Sequence, residues 1–200
     1  MIKNIVFDVG KVLVDFDWQS LFDALGFSPE AYEEVAKATV QSELWNEFDR
    51  SKMADEEILE GFLEHAPGRR NEVMRFWDNI GSCIRRYDYA FPWIRSLQER
   101  GYGVYLLSNY PRRIYSQSIE ELAFVEIVDG AVFSYEVQYT KPEREIYEAL
   151  LRKYGLNPTE CVFIDDNRAN IVAANELGMA TIHFHTKSQA EEELRSLGVQ

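Results

Sequence analysis

Histidine, cysteine and positive charge are all scarce in this 200-residue chain, which has only three histidines and two cysteines. Cys83 and Cys161 are too few and too far apart for a disulfide framework or a thiolate zinc site. Cys161 opens an apolar run and reads as a core residue. His65, His183 and His185 leave little for a histidine metal centre, and the alternation His183-Phe184-His185 reads as the polar face of a strand end. Lys and Arg number 21 against 34 Asp and Glu, a formal charge of −13. That balance argues against a broad grip on nucleic acid or anionic lipid. An anionic substrate would need local help, from a metal ion or a lysine. No apolar stretch is long enough to cross a bilayer, and the opening run is too short for a signal segment. A soluble, cytoplasmic chain with no nucleic-acid or membrane partner is the expectation. Internal repeats, low-complexity tracts, long linkers and coiled-coil heptads are also missing, and nothing readable fixes an oligomeric state.

What is present is globular: 46% hydrophobic and 28% charged residues, which excludes a mainly disordered chain. Ile2–Phe7 is a short apolar run closed by Asp-Val-Gly and reads as a buried strand entering a loop. From about Trp18 to Tyr87 the apolar residues recur at helical spacing instead (Leu21, Phe22, Leu25; Ile58, Leu59, Phe62, Leu63; Val73, Phe76, Trp77, Ile80). Breaks fall at Gly26, Ser28-Pro29 and Pro67-Gly68, and Ser28 before Pro29 is a good N-cap. This predicts an all-helical insertion of four or five helices. Beyond it the chain alternates: helix Pro92–Arg100, strand Gly103–Leu107, helix Arg112–Leu122, strand Ala131–Phe133, helix Pro142–Tyr154, strand Cys161–Ile164, helix Ala169–Leu177, strand Ala180–Phe184, helix Ser188–Leu197. Continuous apolar strands alternating with helices predict an α/β fold, a Rossmann-like parallel sheet covered on both faces.

In such sheets, ligands bind beyond the carboxyl ends of the strands. Those ends carry Asp8, then Ser108 and Asn109, then Asp165 and Asp166, and Lys141 precedes Pro142 at a helix start. Three carboxylates would repel one another unless a divalent cation sat among them, and an oxygen-only donor set favours Mg²⁺ over zinc. The arrangement suits phosphoryl chemistry, in which positioning and charge stabilisation do most of the work. A carboxylate can also attack phosphorus and divide the reaction into two steps.

These residues resemble the motifs of the haloacid dehalogenase superfamily, specifically its phosphatases with a helical cap between the first and second motifs. The first motif is Ile5–Leu13 with Asp8 in the nucleophile position. The second is Leu106–Asn109, the third Lys141-Pro142, and the fourth Val162–Asn170. The stretch from Phe7 to Asp15 is most similar to bacterial members that include glucose-1-phosphate phosphatases, and the fourth motif resembles the phosphatase domain of soluble epoxide hydrolases. The resemblance implies a catalytic core of residues 1–14 and 88–200 with a helical cap at 15–87. It implies a Mg²⁺-dependent phosphomonoesterase working through an aspartyl-phosphate on a small phosphorylated metabolite, expected to be a sugar phosphate. Asp8 would attack phosphorus and bind the metal, with Asp166 a direct ligand, the Gly10 carbonyl another, and Asp165 beside them directly or through water. Lys141 would balance the charge of Asp8 and the phosphate. Ser108 and Asn109 would bind phosphate, and Asn170 would orient the aspartate pair.

One position departs from the family pattern. Most of these phosphatases carry an aspartate two residues after the nucleophile, where this chain has Gly10. Glycine keeps a carbonyl for the metal and loses the acid that protonates the leaving group, a loss of about 10²–10⁴-fold in rate. Asp15 or Asp17 could substitute, the leaving group could be an acidic anomeric hydroxyl, or the protein could bind more than it cuts. The second is preferred. A metal-free dehalogenase lacks the same aspartate, but usually carries a tyrosine nearby, and it would not need the Asp165-Asp166 pair. A receiver module is shorter and has no helical insertion. Among the remaining residues, Arg112 and Arg113 read as a solvated helix face, and Asp55-Glu56-Glu57 as solvated charge. Trp18, Trp45, Phe48 and Trp77 read as cap core, with one or two lining the pocket.

Overall fold

The computed structural model describes residues 1–200. Five strands form one parallel sheet in the order β5-β4-β1-β6-β7: β1 (Asn4–Phe7), β4 (Gly103–Ser108), β5 (Gly130–Phe133), β6 (Cys161–Asp165) and β7 (Ala180–His183). Ile5, Val6 and Phe7 are wholly buried, as a central strand covered on both faces requires. β1 pairs with β4 at Phe7–Leu106 and with β6 at Phe7–Ile164, and the Asp8 amide donates to the Ile164 carbonyl. That register brings Asp8, Ser108 and Asp165 out at one edge, where the chain order reverses about β1.

Between β1 and β4 the chain runs through β2 (Val14–Phe16), then α1 (Trp18–Ala24), α2 (Pro29–Ala38), α3 (Leu44–Arg50), α4 (Asp55–His65) and α5 (Arg70–Asn79), and returns by a short 3₁₀ turn to β3 (Ile84–Arg86) and α6 (Ala90–Glu99). Five helices fall within the expected number. Ser28 caps α2 by accepting from the Ala31 amide, with Pro29 in the first turn. The sequence reading of an all-helical insertion missed β2 and β3, which pair antiparallel and form a two-stranded stem at the base of the helices. Three-residue strands leave too few residues for a period of two to show.

The remaining helices are α7 (Arg112–Gln117), α8 (Ser134–Val137), α9 (Arg144–Tyr154), α10 (Arg168–Glu176) and α11 (Lys187–Ser196). α7 stops five residues before the expected Leu122, where the Ser118 hydroxyl turns back onto the Ile114 carbonyl at 2.7 Å. α8 had no sequence signal. One sheet face carries α9 and α10, whose Ile146, Tyr147, Leu150 and Ala174 pack over Val6, Leu107, Val132 and Phe163. On the other face the apolar core runs without a break from Phe7 and Trp93 into Phe22, Phe48, Phe62, Phe76 and Trp77 of the insertion. Cys83 and Cys161 are both buried free thiols. No helix is long and apolar enough to cross a membrane.

Candidate active site

A cavity of about 270 Å³ opens at the carboxyl edge of the sheet, between that edge and the insertion. Its floor holds Asp8, Gly10, Ser108, Asn109, Lys141, Asp166 and Asn170, so the structure brings the sequence-derived candidates into one place. Asp8, Asp165 and Asp166 each offer a carboxylate oxygen within 4.8 Å of the others.

Lys141 is the hub. Its ammonium lies 2.8 Å from Asp8 Oδ1 and 2.7 Å from Asp165 Oδ2, and its side chain is 1% exposed. Burial alone would lower its pKa, but Asp165 and Asp8 more than reverse this and hold it above the ordinary lysine value. Asp8 Oδ1 also accepts from the Val9 amide at 2.6 Å and the Ser108 hydroxyl at 2.9 Å. All three donors sit on one oxygen, so the other, Oδ2, is left open to the cavity. Burial, and then the nearby Asp165 and Asp166, push the Asp8 carboxyl up against the pull of Lys141.

Asp165 is wholly buried and its oxygens are saturated. Lys141 and the Asn170 amide reach Oδ2, while the Asn167 backbone amide and Asn170 reach Oδ1. It grips Lys141 and Asn170, and one of its oxygens lies within 4.8 Å of carboxylate oxygens of Asp8 and Asp166. Asp166 is half-buried, and no other residue donates to its carboxylate. Burial and Asp165 raise its pKa, opposed by Lys11 and Lys141. Asn170 touches one member of the pair, its Nδ2 lying 3.1 Å from each oxygen of Asp165. Asn109 lines the cavity, and its amide clasps the Lys141 backbone: Oδ1 accepts from the Lys141 amide at 2.6 Å and Nδ2 donates to its carbonyl at 3.0 Å.

The donor set fits a hard divalent cation. One lysine neutralises one of three clustered carboxylates. Asp166 is open, the Gly10 carbonyl accepts no hydrogen bond, and the buried Asn170 Oδ1 has no partner. No histidine or thiolate lines the cavity.

The upper wall was largely invisible in the sequence. Val14, Phe16, Trp45, Ile84 and Ile114 line it, and so do Lys11 and Asp49. Trp45 and Asp49 stand four residues apart on α3, one above the other on a helix face, and that spacing is the signal that could have found them. Arg113 turns away from the floor, stacking on Trp77 at 4.4 Å and pairing loosely with Asp55 and Asp78, so it ties α7 to the insertion. Asp17 caps α1 through Ser20, and Asp15 accepts from the Phe16 amide; neither lines the cavity. α3 is held to the core by the Ser134 hydroxyl, which donates to the Asp49 carbonyl, and by Arg50, which pairs with Glu143. Glu143 in turn accepts from the Thr140 amide at 2.7 Å, next to Lys141.

Comparison with known proteins places this geometry. Residues 2–178 match the haloacid dehalogenase-like hydrolase family. A D-ribitol-5-phosphate phosphatase of Bacteroides thetaiotaomicron is 30% identical, the alignment covering 97% of each chain. The sesquiterpene phosphatase astK of Aspergillus oryzae is 27% identical over 98% of this chain and 96% of its own. Among solved structures, a family enzyme from Bacteroides thetaiotaomicron in complex with magnesium and inorganic phosphate superposes with a TM-score of 0.73 at 25% identity, over 94% of this chain and 96% of that one.

Proposed function

The chain belongs to the haloacid dehalogenase-like hydrolase family and is a phosphatase, and from that premise we propose that it hydrolyses a small phosphomonoester through an aspartyl-phosphate on Asp8. The observation that carries this reading is the division of labour at Asp8. Oδ1 is fixed by Val9, Ser108 and Lys141, and Oδ2 faces the cavity without a partner. A carboxylate held in this way is aimed as a nucleophile with little reorganisation left to do. Oδ2 forms the bond to phosphorus as the bond from phosphorus to the alcohol oxygen breaks, and water later displaces the phosphoryl group from Asp8. Lys141 keeps its proton throughout and offsets the negative charge that gathers at Asp8 and the phosphoryl oxygens.

Asp8, Asp166 and the Gly10 carbonyl would hold Mg²⁺, with Asp165 behind them. The bound ion supplies positive charge to the phosphoryl oxygens. Residues 15–87 act as the cap of this enzyme, closing the upper wall of the cavity and keeping water from the acyl phosphate.

For the substrate, the sugar-phosphate reading has the D-ribitol-5-phosphate phosphatase relative in its favour. A second reading rests on the wall. Val14, Phe16, Trp45, Ile84 and Ile114 offer apolar and aromatic surface and few hydrogen bonds for sugar hydroxyls, which favours a phosphate ester with an apolar body, and one relative is named a sesquiterpene phosphatase. A panel of sugar phosphates, prenyl monophosphates and flavin mononucleotide, assayed with and without Mg²⁺ beside Asp8→Asn, tests all of this. Metal-dependent phosphate release that disappears in Asp8→Asn is the expected result. Turnover that survives the substitution would overturn the mechanism, and the preferred ester decides between the two substrate readings.

A further inference from the structure

We propose that Asp49, on the insertion helix α3, is the general acid and base of this phosphatase, occupying from the opposite wall the role that Gly10 vacates. Gly10 needs no special backbone. Its φ is not positive, and a Cβ built there meets nothing within 4 Å, so the space above the nucleophile is open on the side where the usual acid would stand. Asp49 lines the same cavity as Asp8, Gly10, Lys141 and Asp166, and it is the one acid that the insertion contributes to that lining. Its carboxyl has no hydrogen bond or ion pair to any residue, while its backbone carbonyl is fixed by Ser134. Arg50, the next residue, is turned to Glu143 and Glu47 and does not neutralise it. The two alternatives named from sequence, Asp15 and Asp17, are both engaged elsewhere.

A carboxyl at this place must be protonated at neutral pH to give up a proton. Burial raises the Asp49 pKa to about 7, with Asp8 adding to the shift and Lys141 opposing it. Those two charges act on it from the core, and Lys11 and Asp166 line the same cavity. In the first step the Asp49 proton passes to the ester oxygen as that oxygen leaves phosphorus and Asp8 Oδ2 takes its place. In the second, the Asp49 carboxylate takes a proton from the water whose oxygen attacks phosphorus, the Asp8–phosphorus bond breaks, and inorganic phosphate leaves with Asp49 protonated again. An ordinary alcohol can then depart, and the substrate need not be an anomeric phosphate.

The inference rests on the phosphatase reading, and a matched pair of esters separates the two. p-Nitrophenyl phosphate releases a phenolate that needs no proton; benzyl phosphate releases an alkoxide that does. Asp49→Asn is expected to lower kcat/KM for benzyl phosphate by about 10²–10⁴-fold and for p-nitrophenyl phosphate by less than about tenfold. Adding Gly10→Asp to the same chain should restore much of the benzyl activity. In the unaltered protein, kcat/KM for benzyl phosphate should fall above about pH 7, and that for p-nitrophenyl phosphate should not fall with it. The pH profiles need no variant and so stand even if Asp49→Asn folds poorly. Equal losses on the two esters, no loss, or superimposable pH profiles would overturn the role of Asp49. Activity of the unaltered protein on neither ester, or activity indifferent to Asp8→Asn, would overturn the phosphatase reading together with it.

Discussion

Asn109 clasps the backbone of Lys141 from both sides, accepting from its amide at 2.6 Å and donating to its carbonyl at 3.0 Å. The clasp spans the gap between the end of β4 and the turn before α9, and it fixes where the Lys141 ammonium starts. Asn109→Ala leaves an N–H and a C=O of a buried turn without partners, at about 1–3 kcal/mol each unless water replaces the amide. The expected result is a lower melting temperature and a kcat reduced roughly 10- to 100-fold with KM changed less, since a misplaced lysine acts on the transition state. Wild-type melting and turnover would show the clasp to be idle.

Removing the lysine itself should be worse. Lys141→Ala strips the one cation from Asp8 and Asp165, and breaking a buried ion pair costs about 3–5 kcal/mol. The loss is pH-dependent. With no lysine to pull it down, the Asp8 carboxyl, already raised by burial, holds its proton to higher pH than in the unfolded chain, so the folded state binds more protons and stability falls as pH rises. Urea midpoints at pH 5 and pH 8 should therefore differ more in the variant than in the unaltered protein, with the variant weaker at pH 8.

A cation that fills the cluster of Asp8, Asp165 and Asp166 binds the folded state and not the unfolded one. Mg²⁺ at a hundred times its Kd should add about 2.7 kcal/mol of stability, and a chelator should remove it together with activity. Asp166→Asn deletes an open ligand and should weaken the Mg²⁺-dependent rise in melting temperature. A rise that survives Asp166→Asn undiminished would place the cation elsewhere.

Asp49 makes the opposite stability prediction from Lys141. Its carboxyl pKa lies near 7 in the folded protein, mainly through burial, and near the ordinary value in the unfolded chain. Stability contributed at this position is therefore greatest at low pH and declines as pH rises from about 4 through about 7. Asp49→Asn should match the unaltered protein near pH 4 and exceed it by about 1–2 kcal/mol at pH 8, allowing for partial exposure of the residue to solvent. A variant that is more stable and less active is the expected mark of a group held in place for chemistry.

Gly81 tests the seat of the insertion. A Cβ at this position would lie 2.3 Å from the Gln117 Cβ and 2.9 Å from its backbone carbonyl carbon, and the Gly81 amide donates to the Gln117 side chain at 2.9 Å. Gly81→Ala forces α7 away from the 3₁₀ turn and should cost about 1–3 kcal/mol in a chemical unfolding curve.

Much of this was legible in the residues. Ile5–Phe7, Leu106-Leu107 and Val162–Ile164 declare buried strands by unbroken apolar runs, and the polar residue after each run lands at the sheet edge because parallel strands end together. That placed Asp8, Ser108 and Asp165 correctly. Asp165 and Asn109 were placed but their partners were not. Which atoms a carboxylate or amide spends on its neighbours depends on side chains that approach from distant segments, and spacing along the chain carries none of that. The insertion hid more. Its helices show as 3.6-residue repeats, yet the same repeat cannot tell a core-facing Trp77 from a cavity-facing Trp45, and a single acid on α3 looks like any solvated charge until the helix is docked.

Glu143 reaches both the helix that carries Asp49 and the turn that carries Lys141. One carboxylate joins Arg50 on α3 to the Thr140 amide beside Lys141. Asp49 and Lys141, which belong to different layers, are thereby hung from the same peg. Loosening of the upper layer to release alcohol would draw Asp49 back and relax the lysine turn in one motion. A phosphoryl group on Asp8 would then lose both of its helpers at once.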